Sequence, residues 1–400
     1  MTTVLGGHQT DFARNLTREQ LEVSDLVHEC ILATLECAQL DVEAVETIHV
    51  ANAFGQLYVG QGHLGAMPAT VLPELWGVPA MRHEAACASG SIAVLAAMAE
   101  LEAGRYDRAL VLGVEIEKSQ PGPEAAATQA AAAWVGHETD GSAPIWPAMF
   151  DRIAEEYDLR YGLDDRHLRA IGELNLRNAR DNPVAQTRAW SLTPESTSAD
   201  DEANPVVAGR LRRNDCCQIT DGAAGLVLVS DRWLRRHGRE GTARLAGWGH
   251  ATVGLSLESK LERSDGPFVM PHVRHAIRSA LDRAGSTGVD DVDVIETHDC
   301  MTPSEYLAID HFGITPPGAS WQAIEDGTLE RDGRCPVNPG GGLIGGGHPV
   351  GATGVRMLVD AAAQVSGTAG ATGVDGARRA ATLNIGGSTA TTVSFVVDAF

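Results

Sequence analysis

VEAVETIHVAN at residues 42–52 and VDDVDVIETHD at residues 289–299 share one pattern: an acidic turn, a short apolar strand, then a polar end. Three further pairs keep the same order. VLGGH at 4–8 matches RLAGWGH at 244–250, AlaSerGly at 88–90 matches AlaThrGly at 352–354, and ALVLGVE at 109–115 matches ATLNIGG at 381–387. A chain that repeats itself in this way builds two copies of one supersecondary unit. Strand and helix signals alternate within each copy, so the expected fold is α/β, with two similar halves around a pseudo-twofold axis. Equivalent loops of the two halves then converge.

The texture between the repeats is different. From Lys118 the chain is broken by Pro121, Gly122 and Pro123, runs through alanines, and then reads as helices over 149–157 and 165–180. Residues 192–209 are rich in Pro, Ser, Asp and Asn and read as surface loop. TDGAAGLVLVS at 220–230 returns to a turn and a buried strand. The expected division is an N-terminal half of 1–117 and 216–240, an inserted loop domain of 118–215, and a C-terminal half of 241–400. Within the first half, Leu26, Ile31, Leu35 and Leu40 predict an amphipathic helix over 25–40. A second helical region is predicted to open at GQGHLGAM (60–67) and to end before Pro73.

Composition narrows the function. With 44% apolar and 21% charged residues the chain is ordinary globular protein. MTTVLGGHQTDFARN carries no basic segment followed by an apolar core, and no run of about 18 apolar residues occurs. Seven cysteines, an odd number in a long chain, point to free thiols and a cytoplasmic setting. A net charge of −22 argues against nucleic acid as partner and means that an anionic ligand needs a local basic patch. The insertion holds the densest candidate: Arg177, Arg180, Arg188, Arg210, Arg212 and Arg213.

Three stretches carry chemistry. HEAACASGS at 83–91 sets Cys87 among small residues at the start of a helix-forming run, with Gly104 where a helix C′ residue belongs. Free N–H groups and the positive end of a helix favour thiolate, so position itself is expected to activate this sulfur. The commoner role of a cysteine, a small buried apolar residue, is the competing reading. NPGGGLIGGGHPVGATG at 338–354 presents His348 between glycines and a proline; it lacks the GlyLys[Ser/Thr] of a phosphate loop and no clear strand leads into it. ETHDCMTPSEYLAI at 296–309 places His298, Asp299 and Cys300 at a strand end. The absence of CxxC and HExxH, and the adjacency of Cys216 and Cys217, argue against zinc, so no metal is expected.

CASGS around Cys87, TDGAA at 220–224, HDC at 298–300 and GHPVGATG at 347–354 together resemble the thiolase family over essentially the whole chain. The resemblance is to the sterol-carrier-protein-type and archaeal branch, which has HDC[F] and an asparagine, here Asn384 before Ile385 and Gly386, where other thiolases carry a cysteine. Met301 departs from the usual phenylalanine. The resemblance implies a thiolase fold and an acyl-CoA C-acyltransferase that uses coenzyme A thioesters as substrates and no other cofactor. It assigns the acyl-accepting nucleophile to Cys87, its proton acceptor to His348, α-proton removal to Cys300, and an oxyanion hole to His298, acting through a water, with His348. A second hole falls to the N–H groups of Cys87 and Gly386, and the coenzyme A phosphates to the arginines of the insertion. A homodimer or tetramer and a small OB-fold and zinc-ribbon partner are also implied, with no nucleic acid or membrane. Two alternatives remain open: a related retro-aldol lyase on CoA-linked side chains, whose members tend to lack the cysteines, and a non-catalytic subunit of an acyl-CoA-processing complex.

Overall fold

The computed structural model describes residues 2–139 and 145–400. Its strands in chain order are β1 (Thr2–Gln9), β2 (Thr47–Ala51), β3 (Ala80–His83), β4 (Arg108–Glu115), β5 (Val206–Ala208), β6 (Leu211–Arg212), β7 (Gly222–Ser230), β8 (Ala243–Thr252), β9 (Val294–Thr297), β10 (Arg379–Gly386) and β11 (Thr391–Ala399). Nine of them form one sheet in the order β3-β2-β4-β7-β1-β8-β11-β10-β9. Outward from the centre, the two arms have the same design. β1 and β8 each pair antiparallel with β7 and β11, these pair antiparallel with β4 and β10, and those pair parallel with β2 and β9. The arms join where Thr2–Val4 lies opposite Ala243–Leu245. The repeat extends to detail, since β2 and β9 are each preceded by a single 3₁₀ turn, Val42–Ala44 and Val289–Asp291.

Burial explains the apolar runs. In β4, Leu110 and Leu112 pack under the outer helix Val23–Ala38, while Val111 on the opposite face meets the helix Ser89–Glu102. A strand covered on both faces has no polar side to show. On the other arm the outer helix Pro271–Arg283 lies on β8 and β11, and its Val273 and Ile277 share one core with Leu383 and Ile385 of β10. The helices Ser89–Glu102 and Thr353–Ser366 lie between the arms. Their Ala93, Val94, Val355 and Leu358 share one core with Leu226 of β7 and Phe395 of β11. Small residues allow this. A Cβ on Gly90 would stand 2.7 Å from the Val355 nitrogen, and one on Gly354 would stand 2.4 Å from the Ser91 nitrogen. AlaSerGly and AlaThrGly are therefore the two halves of one close helix–helix contact.

Boundaries differ from expectation in places. The first helix is Val23–Ala38, because Gln39 turns left-handed (φ 48°) and Leu40 folds back, its N–H bonding Leu35 at 3.0 Å. The region at 60–67 yields only short turns, Leu64–Ala66 and Met67–Val71. The insertion carries helices Trp146–Tyr161 and Asp165–Asn178, each close to its predicted range, and the β5–β6 hairpin. Phe150, Ile153, Leu168 and Ile171 share the C-terminal core with Ile309 and Phe312. Residues 140–144 of the expected insertion lie outside the described residues. Among the described residues, no helix is long and apolar enough to cross a membrane.

Candidate active site

Cys87 stands at the end of a tight turn that leads into the helix Ser89–Glu102. Ala86 before it is left-handed (φ 49°), an uncommon state for a residue with a Cβ. The Ser89 hydroxyl holds the turn, accepting from Ala85 N–H at 2.9 Å and donating to the Ala86 carbonyl at 2.6 Å. Opposite, the matching helix Thr353–Ser366 is preceded by the loop carrying His348. That loop is anchored from the other half: Thr220 accepts from His348 N–H at 3.0 Å, Glu117 from Val350 N–H at 2.9 Å, and Glu115 from Gly351 N–H at 3.1 Å. His298 follows β9. The Cys87 sulfur and ring nitrogens of His298 and His348 all lie within 4.8 Å of one another. The rings meet edge to face with centroids 5.3 Å apart.

Hydrogen bonds assign the tautomers. The Thr353 hydroxyl donates to the Pro349 carbonyl at 3.0 Å, so at 2.7 Å it accepts from His348 Nδ1. The buried Nε2 of His348 has no partner and presents a lone pair. At His298 the roles reverse. Ser91 donates to Asn384 Oδ1 at 2.8 Å, which turns the Asn384 amide to donate to His298 Nδ1 at 3.3 Å. His298 Nε2 therefore carries hydrogen, and one imidazole faces the sulfur as base, the other as donor. A metal needs lone pairs from both rings, which the Asn384 contact denies to His298.

Charge states differ from the sequence expectation. Burial, then the Glu117 carboxyl, push the Cys87 thiol up to about 12, against the N–H groups of Gly387 and of Cys87 itself, which draw it down. Burial, then Arg356, bring His348 down to about 3. The resting pair is neutral thiol and neutral imidazole, so the start of a helix does not by itself ionise this sulfur. Desolvation outweighs two N–H groups here.

Among the other expected residues, Cys300 is buried and lies outside the close trio. Its thiol is raised by burial and next by repulsion from Cys87 when that sulfur is ionised, which places the two sulfurs in one electrostatic neighbourhood. Gly386 is wedged against the Cys87 turn, where a Cβ would meet the Ala85 carbonyl at 2.3 Å, and the N–H of Gly387 is among the groups that draw the Cys87 thiol down. The arginines do not form a patch. Arg177 pairs with Glu330, Arg188 with Asp11 (2.7 Å), Arg210 with Asp158 and Asp165 (3.0 and 3.1 Å), and Arg212 with Asp201 (2.8 Å), while Arg180 is exposed. Only Arg213 of the six lines the cleft of about 290 Å³ that reaches His348, together with Trp146, Cys216, Cys217 and Met301. Glu115 and Glu117 had no functional signal in the sequence, because they act on the distant His348 loop, and the hold of Thr353 on His348 shows only once that loop is folded.

Family models agree with this geometry. The thiolase N-terminal domain matches residues 2–143, and the thiolase C-terminal domain-like model matches 257–399. Acetyl-CoA acetyltransferase of Methanothermobacter thermautotrophicus is 30% identical over 96% of both chains. The chain belongs to the thiolase family. This thiolase is also 29% identical to sterol carrier protein 2 of Bos taurus, over 92% of this chain and 67% of that one. Its fold is that of the acetyl-CoA acetyltransferase from Syntrophomonas wolfei (TM-score 0.71, 20% identity, 99% and 98% covered) and of human mitochondrial 3-ketoacyl-CoA thiolase (0.72, 15%, 100% and 98%). The Ltp2-ChsH2(DUF35) aldolase shares it too (0.78, 20%, 100% and 97%).

Proposed function

We propose that this thiolase transfers acyl groups between coenzyme A thioesters through an acyl-enzyme on Cys87, with acetyl-CoA as the acyl donor or product. The observation that carries the reading is the Cys87 sulfur beside a histidine whose tautomer leaves Nε2 as a bare lone pair. In the first half-reaction the Cys87 proton passes to His348 as sulfur attacks the thioester carbonyl. The Cys87–acyl bond forms, the bond to coenzyme A breaks, and the departing thiolate takes the proton from His348. In the second, Cys300 passes its own proton to His348, now neutral again, and as thiolate removes an α-proton from a new acyl-CoA while the N–H of His298 steadies the enolate oxygen. The α-carbon attacks the acyl-enzyme carbonyl, and Cys87 leaves as thiolate and takes the proton back from His348. The reverse sequence is thiolytic cleavage of a 3-ketoacyl-CoA.

The 30% identical archaeal acetyltransferase supports acetyl-CoA, and retention of Cys87, His298, Cys300 and His348 favours acyl transfer over retro-aldol cleavage. The proposal includes a cytoplasmic homodimer or tetramer. A small partner protein is supported by the fold likeness to the Ltp2-ChsH2(DUF35) aldolase, whose name pairs two proteins. Coenzyme A is proposed to lie along the cleft at Arg213. The test is mass spectrometry after brief mixing with acetyl-CoA. The expected result is a 42-dalton (roughly one acetyl group) adduct on the Cys87 peptide, absent from Cys87→Ser. An adduct on another residue, or none at all, contradicts the reading.

A further inference from the structure

We propose that Lys260 and His272 are positioning residues for the acyl-transfer step, clamping the turn 387–389 that follows Gly386, where the end of β10 is wedged against the Cys87 turn. This rests on the acyl-enzyme reading. Nothing in the sequence motifs points to either residue, and neither touches the reacting sulfur.

The turn follows β10 and is tight, Thr389 N–H bonding the Gly387 carbonyl at 2.9 Å. Thr389 is left-handed (φ 66°), which β-branched residues rarely adopt, so the turn does not hold this shape on its own. Two side chains from the C-terminal half secure it. Lys260, on the helix Leu257–Glu262, is 6% exposed and donates to the Ser388 hydroxyl at 2.8 Å and the Leu255 carbonyl at 3.0 Å. His272 Nε2 lies 3.0 Å from both the Thr389 carbonyl and its hydroxyl. A carbonyl only accepts, so Nε2 carries the hydrogen. The Thr389 hydroxyl in turn donates to Met270 sulfur at 3.5 Å. The turn begins directly after Gly386, whose backbone sits against the Ala85 carbonyl and Ala88 of the Cys87 turn, and the N–H of Gly387 draws the Cys87 thiol down. A donor aimed where negative charge develops acts by its placement, and loosening the turn misplaces it.

The ammonium of Lys260 is unusual in its surroundings. Among the described residues no carboxylate pairs with it, and it lines a cavity of about 510 Å³ with Trp134, Leu255, Arg263 and His272. Glu138 faces it from the loop before residue 140 and raises its affinity for protons, His272 faces it from the helix Pro271–Arg283, and Arg263 follows on its own helix. Burial outweighs Glu138 and brings the amine to about 8, while His272, lowered to about 4 chiefly by burial, stays neutral. The Lys260–Ser388 bond is therefore charge-assisted below about pH 8 and weaker above it.

The experiment measures the rate at which acetyl-CoA acylates Cys87, by rapid-quench mass spectrometry, in Lys260→Met, His272→Leu and His272→Gln. Removing an oxyanion donor outright costs about 10²–10³-fold, so displacing one is expected to slow acylation about tenfold to a hundredfold in the first two proteins. Half-saturation by acetyl-CoA should stay unchanged, and His272→Gln, which keeps an N–H, should recover most of the rate. The ratio of wild-type to Lys260→Met rates should fall as pH rises through about 8, since ionisations of Cys87 and His348 are common to both and cancel. If Lys260→Met does not fold, Ser388→Ala removes only the acceptor and is read in the same way. Acylation at the wild-type rate per folded molecule overturns the clamp. Failure of the wild type itself to acylate overturns the underlying reading instead, so the two failures are distinct.

Discussion

At the scale of single residues, two asparagine–threonine choices divide labour between two histidines. Thr353 holds His348 as a base and Asn384 holds His298 as a donor. In the proposed reading the proton-transfer role falls to Cys300, while the Asn384 amide fixes the His298 tautomer. Cys300→Ala is expected to keep acylation of Cys87 and to lose exchange of acetyl-CoA α-protons with deuterated water by about 10²–10⁴-fold, as for loss of a general base. Asn384→Leu should show the same split with a smaller exchange defect, because the base remains and only the His298 donor is misdirected. Proton NMR of recovered acetyl-CoA measures both, and exchange at the wild-type rate in Cys300→Ala would transfer the base role to His348. The arginines permit an equally local comparison. Arg213→Ala should raise KM for acetyl-CoA with kcat little changed, as expected where substrate and transition state are held alike, whereas Arg188→Ala, which frees a residue already paired with Asp11, should leave KM in place.

At the scale of elements, catalysis depends on how closely two helices approach. The helices Ser89–Glu102 and Thr353–Ser366 start side by side, and each is preceded by one member of the Cys87–His348 pair. Gly90→Ala raises helix propensity, yet its new methyl meets the Val355 and Gly354 nitrogens at 2.7 and 2.9 Å. Backbone cannot give way as a side chain can, so overpacking should win, with a loss of about 1–3 kcal/mol in urea unfolding and a fall in acylation rate as the helices part. An unchanged midpoint would mean that the contact has slack. This contact was legible in advance, because AlaSerGly and AlaThrGly sit at matching places in two repeats and repeats converge by symmetry. The match of 42–52 with 289–299 likewise marked one strand in each half, β2 and β9. Lys260 was not legible, since a lysine on a short polar helix reads as solvated surface until the Ser388 turn is folded onto it. The arginine patch misled for the converse reason: sequence shows a density of positive charge but not the Asp11, Asp158 and Asp201 that fold opposite. The thiol misled because a helix start is local and visible, whereas burial beside Glu117 comes from strands far along the chain.

At the scale of the whole molecule, the site rests on buried carboxyls that bind protons more tightly than free ones do. Burial above all raises Asp299 to about 6, Glu115 to about 7 and Glu305 to about 8, from ordinary values of 3.8, 4.5 and 4.5. Glu305 shows why: Asn175 and Asn338 both donate to its Oε2, while Oε1 is buried with no partner. A carboxyl raised on folding binds its proton more tightly in the native state. Its contribution to stability is complete below the unfolded value and is lost as pH rises through the folded one. Buried histidines run the other way. His83 and His272, near 4, and His348, near 3, contribute above their ordinary 6.5, and that contribution is lost as pH falls. Below about 6.5 the two sets oppose each other, but between 6.5 and 8 the histidines have finished changing and the carboxyls have not. Lys260, lowered to about 8, favours the native state only above that window. The net charge of −22 adds self-repulsion in the same direction as the carboxyls. The urea midpoint is therefore expected to fall steadily from pH 6.5 to 8, and to fall less steeply in Glu305→Gln, whose amide oxygen still accepts from both asparagines without a proton to lose. Equal slopes in the two proteins would show that Glu305 is ionised in the native state across this range, and the stored protons would then have to be sought at Glu115.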